Sequence, residues 1–190
     1  MSLVELDNDM TDKNSTHSYL PLYDALLRPI KDTATNILEI GVQRGGSIKL
    51  WHDYFTKGVI HGCDWEKLDG WMLYRDSPEL RTNSRVVLNL DADAYTEEYV
   101  KERFGDKVFD FLLDDGPHTL ESQEKFIELY SPLLSDSGIL IIEDVQYHDW
   151  FEKLEAKTPE HLKKYIKTYD LRKNKDRYDD IVFTIDRVSR

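Results

Sequence analysis

Short apolar runs alternate with amphipathic stretches along the chain. Residues 35–40, 59–63, 84–90, 108–113 and 138–142 are compact aliphatic and β-branched runs, and each predicts a strand. Between them, 47–55, 96–104 and 119–134 place apolar side chains at helical spacing. Tyr99, Val100 and Arg103 mark the second of these helices, and Phe126, Ile127 and Tyr130 the third. Strands alternating with helices imply βαβ units and a parallel sheet. The end of the chain breaks the pattern: 165–171 and 180–187 are strand-like runs joined by polar residues, which predicts a closing antiparallel hairpin. At the start, 18–27 is expected as a leading helix and 1–15 as a loose segment. The organisation expected is therefore an arm over 1–17 and a single domain over 18–190.

Composition narrows the class. A chain of 190 residues is long enough for one domain with one real core. The formal net charge of −12 argues against a nucleic-acid backbone as the main partner. No apolar run approaches the ~20 residues of a membrane span, and the first ten residues lack the basic-then-apolar order of a signal peptide. A single cysteine, Cys63, excludes a disulfide framework and a cysteine-based zinc cluster. A cytoplasmic protein without membrane contact is expected. The charge is uneven: residues 1–151 hold 14 basic and 29 acidic side chains, whereas 152–190 hold 11 and 8. The basic end reads either as a solvated helix near 153–167 or as a docking surface for an anionic partner.

In an open α/β sheet, ligands bind beyond the carboxyl ends of the strands. All five predicted strands end in carboxylates: Glu39, Asp64, Asp91 with Asp93, Asp114 with Asp115, and Glu143 with Asp144. The first strand runs into Gly41-Val42-Gln43-Arg44-Gly45-Gly46-Ser47, where Gln43 replaces the second glycine of the dinucleotide fingerprint. A ligand with a ribose but no pyrophosphate fits such a loop better, and S-adenosylmethionine is one. A nearby carboxylate suits its cationic sulfonium and amino group, and Gly45 and Gly46 permit close approach or a tight entry into the next helix. The same residues also suit a plain strand-to-helix turn. Asp64, 23 positions after Gly41, can accept from ribose hydroxyls or cap a strand end. Asp93 can accept from an adenine amino group or cap the helix that follows.

The most specific signal is Asp114-Asp115-Gly116-Pro117-His118 together with Glu143-Asp144, separated by one crossover helix. Asp115, Glu143 and Asp144 offer hard oxygen ligands that suit magnesium or a similar divalent ion. His118 is placed to take a proton from a hydroxyl bound beside them. Each residue alone has a bland reading as a solvated strand end or helix start; their convergence at adjacent strand ends favours function.

These residues, over 11–145, resemble a class I S-adenosylmethionine-dependent methyltransferase. More narrowly, they are similar to the metal-dependent sugar O-methyltransferases of macrolide and aminocoumarin biosynthesis. That family carries Asp-Gly-x-His after the fourth strand and an acidic pair after the fifth. Its amino-terminal Asp-Lys motif, followed by His and Tyr, is similar to Asp12, Lys13, His17 and Tyr19, with Tyr23, here. Pro117 departs from the small polar residue common at its position, and the chain is shorter than is usual in the family. The resemblance implies a Rossmann-like, seven-stranded, mostly parallel sheet with a C-terminal antiparallel hairpin and helices on both faces. It implies transfer of the S-adenosylmethionine methyl to a sugar hydroxyl, such as that of a deoxyhexose in a glycan or glycoside, with magnesium as cofactor. The cofactor-binding residues expected are Glu39, Gly41, Gly45, Ser47, Asp64, Asp91, Asp93 and Asp114, with Lys13 and His17 from an arm folding over the cofactor or acceptor. Asp115, Glu143 and Asp144 are the expected metal ligands and His118 the catalytic base. Assembly as a homo-oligomer, or as one module of a longer polypeptide, fits the family. Three other readings compete: a catechol or phenol acceptor, with Trp65, Trp71 and Tyr74 as an aromatic wall; a nicotinamide-dependent oxidoreductase, which Gln43 opposes; and a non-catalytic nucleotide-binding module.

Overall fold

A computed structural model describes residues 1–65 and 78–188; Trp71 and Tyr74 lie outside the described residues. Seven strands form one sheet in the order β3-β2-β1-β4-β5-β7-β6. They are β1 (Asn36–Ile40), β2 (Val59–Asp64), β3 (Val86–Leu90), β4 (Phe109–Asp114), β5 (Leu134–Ile142), β6 (Ile166–Asp170) and β7 (Ile181–Asp186). The first five pair in parallel, and β7 runs antiparallel to both β5 and β6. The closing hairpin expected from the sequence is therefore present, with β7 inserted between β5 and the edge strand β6. The doubly covered parallel sheet explains the continuous apolar runs. Ile37, Phe111, Leu113, Ile139 and Ile141 pack into a core on one face, whereas Leu38, Leu112, Leu140 and Ile142 pack into a second core on the other.

Helix ends follow local chemistry. α1 (Leu20–Leu27) and α2 (Gly46–Tyr54) pack on the first face; Leu20, Tyr23 and Trp51 are buried there. α3 (Glu97–Arg103) starts where Thr96 accepts from the Tyr99 N–H, with Glu97 and Glu98 in the first turn and Arg103 in the last. α4 (Leu120–Tyr130) starts with a capping box between Thr119 and Ser122.

Three expectations need correction. The helix expected over 119–134 stops at Tyr130; Pro132 lies in a short 3-10 turn, and Leu134 already begins β5. The basic stretch 153–167 is not one helix. α5 (Trp150–Lys157) and α6 (Glu160–Lys163) are separated at Thr158 and Pro159, because the residue before a proline is driven out of the helical region. A last helical turn, α7 (Arg172–Lys175), lies between β6 and β7. The loose segment expected over 1–15 is instead packed: Leu3 is fully buried in the core, and its N–H donates to Asp24 Oδ1 at 2.9 Å. Its polar residues disguised this, since Thr11 and Lys13 are buried by partners remote in sequence.

Candidate active site

β1 lies between β2 and β4, so the strand order reverses there, where α/β sheets form a crevice. A cavity of about 840 Å³ opens at this rim. Gly41 after β1, Asp64 ending β2, Asp91 and Asp93 after β3, Asp115 and His118 after β4 and Asp144 after β5 all line it. The β1 and β4 ends are stitched together by Asp115 N–H donating to Ile40 O at 2.8 Å. Gly41, at φ +95°, makes this junction fit: a Cβ there would stand 1.9 Å from the Asp115 carbonyl oxygen. Asp64 Oδ2 accepts from the Val42 and Gln43 N–H groups at 2.8 and 3.0 Å, which shapes the loop after β1.

Five non-glycine residues among those described have a left-handed backbone, and four of them line the cavity: Gln43 (φ 46°), Asp91 (φ 63°), His118 (φ 54°) and Asp144 (φ 53°). Each such conformation costs on the order of 1–3 kcal/mol and persists where the surroundings impose it. Here they turn the chain sharply at each strand end and aim side chains across the cavity. His118 Nε2 lies 3.2 Å from Asp115 Oδ1 and 3.4 Å from Asp144 Oδ2. One atom from each of Asp115, His118 and Asp144 falls within 4.8 Å of the others, as metal ligands would. Burial alone would depress the His118 pKa, but the hydrogen bond to Asp115 and the charges of Asp144, Asp115 and Asp114 raise it above the ordinary value.

Behind this wall stands a cation that belongs to the chain. Lys13 is 1% exposed, and its ammonium donates to Asp115 Oδ2 at 2.7 Å and Glu143 Oε1 at 2.6 Å, with Glu39 Oε1 at 3.6 Å. Burying an unpaired ammonium costs several kcal/mol; three carboxylates offset that here and raise the Lys13 pKa despite burial. The carboxylates share one positive charge unequally. Burial works to lift Asp115, yet Lys13 and His118 pull it down to about 2. Burial and the Asp115 charge outweigh Lys13 at Glu143 and raise it, and burial pushes Glu39 up to about 7. The second oxygen of Glu143 accepts from Tyr23 Oη at 2.6 Å. Glu39 Oε2 accepts from Ser47 Oγ at 2.7 Å and Trp51 Nε1 at 3.1 Å.

The expected site residues thus fall into two shells. Gly41, Asp64, Asp91, Asp93, His17, Asp115, His118 and Asp144 line the cavity. Glu39, Ser47, Asp114, Lys13 and Glu143 are buried behind it. Asp114 accepts from Tyr95 Oη, and burial pushes its pKa up to about 7. Gly45 (φ 80°) opens α2 and Gly46 abuts the arm: a Cβ on Gly46 would stand 2.3 Å from the Met10 carbonyl carbon. That glycine makes room for the chain's own backbone.

The arm joins the β6–β7 connection to form one side of the cavity. His17 Nδ1 pairs with Asp180 Oδ1 at 2.6 Å, and Ser18 donates to Asp180 Oδ2 from its N–H at 3.2 Å and its Oγ at 2.9 Å. Tyr19, stacked on His17, donates to Asp144 Oδ1 at 2.5 Å. Sequence reasoning named Tyr23 only as part of the amino-terminal motif, and it missed Tyr95, Asp179, Asp180 and Arg177. Tyr19 and Tyr23 carried a signal, since a four-residue spacing sets both hydroxyls on one side of a helix.

The profile of the family described as "Methyltransferase domain" matches residues 38–145. Among curated proteins, the chain is similar to 8-demethyl-8-alpha-L-rhamnosyl tetracenomycin-C 2'-O-methyltransferase of Streptomyces olivaceus, 25% identical over 74% of this chain and 36% of that protein. It is similar to demethylmacrocin O-methyltransferase of Streptomyces fradiae, 29% identical over 72% and 34%, and to L-olivosyl-oleandolide 3-O-methyltransferase of Streptomyces antibioticus, 31% identical over 70% and 34%. The chain spans about a third of the length of these curated relatives. Among solved structures, the fold is similar to MycE methyltransferase from the mycinamycin biosynthetic pathway in complex with Mg and SAH, with TM-score 0.72 at 20% identity over 98% of this chain and 54% of that one. It is similar too to CalS11, a TDP-rhamnose 3'-O-methyltransferase of calicheamicin biosynthesis, with TM-score 0.57 at 18% identity over 97% and 90%.

Proposed function

The chain belongs to the methyltransferase-domain family, of the class I S-adenosylmethionine-dependent kind, and from that premise we propose that it methylates a hydroxyl of a sugar or glycoside acceptor with the help of a divalent cation. The observation that carries this reading is the placement of His118 between Asp115 and Asp144 on the cavity wall, 3.2 and 3.4 Å from their oxygens. The donor chemistry fits a hard cation. Asp115 Oδ1 and Asp144 Oδ2 face His118, while the other oxygen of each is held by Lys13 and by Tyr19. Glu143, the third ligand expected, has one oxygen on Lys13 and the other on Tyr23. When bound, S-adenosylmethionine would supply an electrophilic methyl group, and a cation held by Asp115 and Asp144 would make the acceptor hydroxyl more acidic.

The chain's own residues supply position and proton transfer. Asp64 and the loop after β1 seat the cofactor at one end of the cavity, with Asp91 and Asp93 nearby. The acceptor enters at the other end, between the arm and the β4 and β5 ends. In its neutral form, His118 Nε2 takes the hydroxyl proton as the oxygen attacks the methyl carbon and the carbon–sulfur bond breaks, leaving S-adenosylhomocysteine. Holding both reactants in one cavity removes the entropy cost of their meeting. The named relatives that act on sugars support the acceptor class.

The test is methyl transfer from labelled S-adenosylmethionine to a panel of deoxysugar glycosides, before and after chelation. Turnover should require a sugar, vanish with EDTA and return with magnesium. Full turnover in the chelated protein would refute the metal reading, and calorimetry with S-adenosylmethionine checks the cofactor separately.

A further inference from the structure

Arg177 stands out against its surroundings. Seven aspartates line the cavity, and Arg177 is its single Lys or Arg among the described residues. Its Nε is buried without a hydrogen-bond partner, and its nearest ion pair, to Asp179 Oδ1, is long at 3.5 Å. A buried donor left unpaired needs an explanation. Arg177 also lines a second groove of about 310 Å³ that leads away from the cavity along the β6–β7 connection. The other walls of that groove are Asp170, Arg172, Lys173, Asp176 and Tyr178.

The charges there are not all available. Arg172 is committed to Asp170 and His148. Lys175, just outside the groove, donates to the Asn14 and Ser15 carbonyls. Lys173 is exposed and makes no ion pair among the described residues. Tyr178 is 62% exposed. The groove is lined by three basic side chains and two acidic ones, against seven aspartates and one arginine in the cavity. An acidic cavity and a basic outer groove therefore meet at Arg177. An anion is repelled from the first and held at the second.

We propose that the acceptor is anionic: a sugar linked to a nucleoside diphosphate, entering sugar-first. This deepens the reading of the cavity as a methyl-transfer site and rests on it. The neutral sugar lies between Asp115, Asp144 and His118. The diphosphate meets Arg177 at the mouth and Lys173 in the groove, and the base stacks on Tyr178. The balance of charge favours this orientation, since the cavity's seven aspartates outnumber the charge of one bound divalent cation and Arg177. Arg177 is then a specificity-determining residue. A bidentate guanidinium matches phosphate oxygens better than a lysine would.

The test has two arms, both on the full chain saturated with S-adenosylhomocysteine or S-adenosylmethionine, so that nucleotide cannot occupy the cofactor end. In the first, calorimetry measures thymidine diphosphate binding to the parent, Arg177→Gln and Lys173→Gln. Arg177→Gln should weaken binding about tenfold, the loss expected for a charge-assisted hydrogen bond, and Lys173→Gln should weaken it less. In the second, turnover is compared between a nucleoside diphosphate deoxyhexose and the methyl glycoside of the same sugar. The parent should prefer the anionic acceptor by at least about tenfold in kcat/KM, and Arg177→Gln should reduce that preference through KM. Absence of diphosphate binding, equal binding by parent and Arg177→Gln, or preference for the neutral glycoside would overturn the proposal. Diphosphate binding with the predicted Arg177 dependence, but no methylation of either acceptor, would instead refute methyl transfer to sugars and leave the anion site standing.

Discussion

Replacing Lys13 with methionine keeps most of the side-chain volume and removes the one positive charge shared by Asp115, Glu143 and Glu39. Removing one partner of a buried ion pair costs about 3–5 kcal/mol, because the remaining charge is stranded. Here three carboxylates are stranded, two of them 2% exposed or less, so the upper part of that range applies when all are ionised. For a domain of this size, 1 kcal/mol shifts Tm by about 2–4 °C, so Lys13→Met should lower it by roughly 10–20 °C above neutral pH.

The loss should depend on pH, with a defined sign. Without the ammonium, burial keeps the folded pKa values of Glu39 and Glu143 above their unfolded ones. Groups raised in this way contribute stability below the unfolded pKa and lose it as pH rises through the folded pKa. Glu39 already stands at about 7 with Lys13 present. The gap between parent and variant should therefore be smallest near pH 4–5 and widen above about pH 7. Urea unfolding at both ends of that range measures it. A loss below about 1 kcal/mol at the higher pH, the level of an exposed ion pair, or the same loss at both pH values, would refute the shared-charge account. A magnesium-like cation should narrow the gap in Lys13→Met, since it can meet the same carboxylates.

Four other outcomes follow from the geometry. His118→Ala should lower kcat by about 10²–10⁴, the usual contribution of a positioned base, while S-adenosylmethionine affinity by calorimetry is preserved; an unchanged kcat removes His118 from proton transfer. Gly41→Ala should destabilise by more than the ~1–3 kcal/mol of ordinary overpacking, since the new Cβ would stand 1.9 Å from backbone; thermal unfolding checks this, and a native Tm would disprove the close β1–β4 junction. Asp114, raised to about 7, contributes stability below about pH 4 that is lost as pH rises through 7, so Asp114→Asn should flatten that decline in urea midpoints, and parallel curves would refute it. Asp144→Asn should weaken magnesium binding more than Glu143→Gln, because only Asp144 lines the cavity; calorimetry giving the reverse order would make Glu143 the primary ligand.

What the sequence disclosed and what it hid differ in contact range. β1 to β5 were legible because each strand sits between helices on both faces, so it writes a continuous apolar run, and each strand end carries its own carboxylate. The Asp115, His118 and Asp144 group was legible for the same reason: parallel register makes strand ends neighbours once the strands are placed. Lys13 was legible only as a member of a motif. Its partners Asp115 and Glu143 lie 102 and 130 positions away, and no periodicity links a turn near the amino terminus to two strand ends. Clustered carboxylates repel unless a cation joins them, and here the chain's own ammonium meets Asp115, Glu143 and Glu39. That changes what the site requires. Lys13 and Tyr23 satisfy Glu143, and Lys13 and Tyr19 fix one oxygen each of Asp115 and Asp144. The acidic wall is thus held in shape from behind, with its other oxygens turned to His118. Preorganisation of this kind is worth having only if something cationic or acidic is to be met there, and the four left-handed residues at the same rim show the backbone bearing a cost toward that same end.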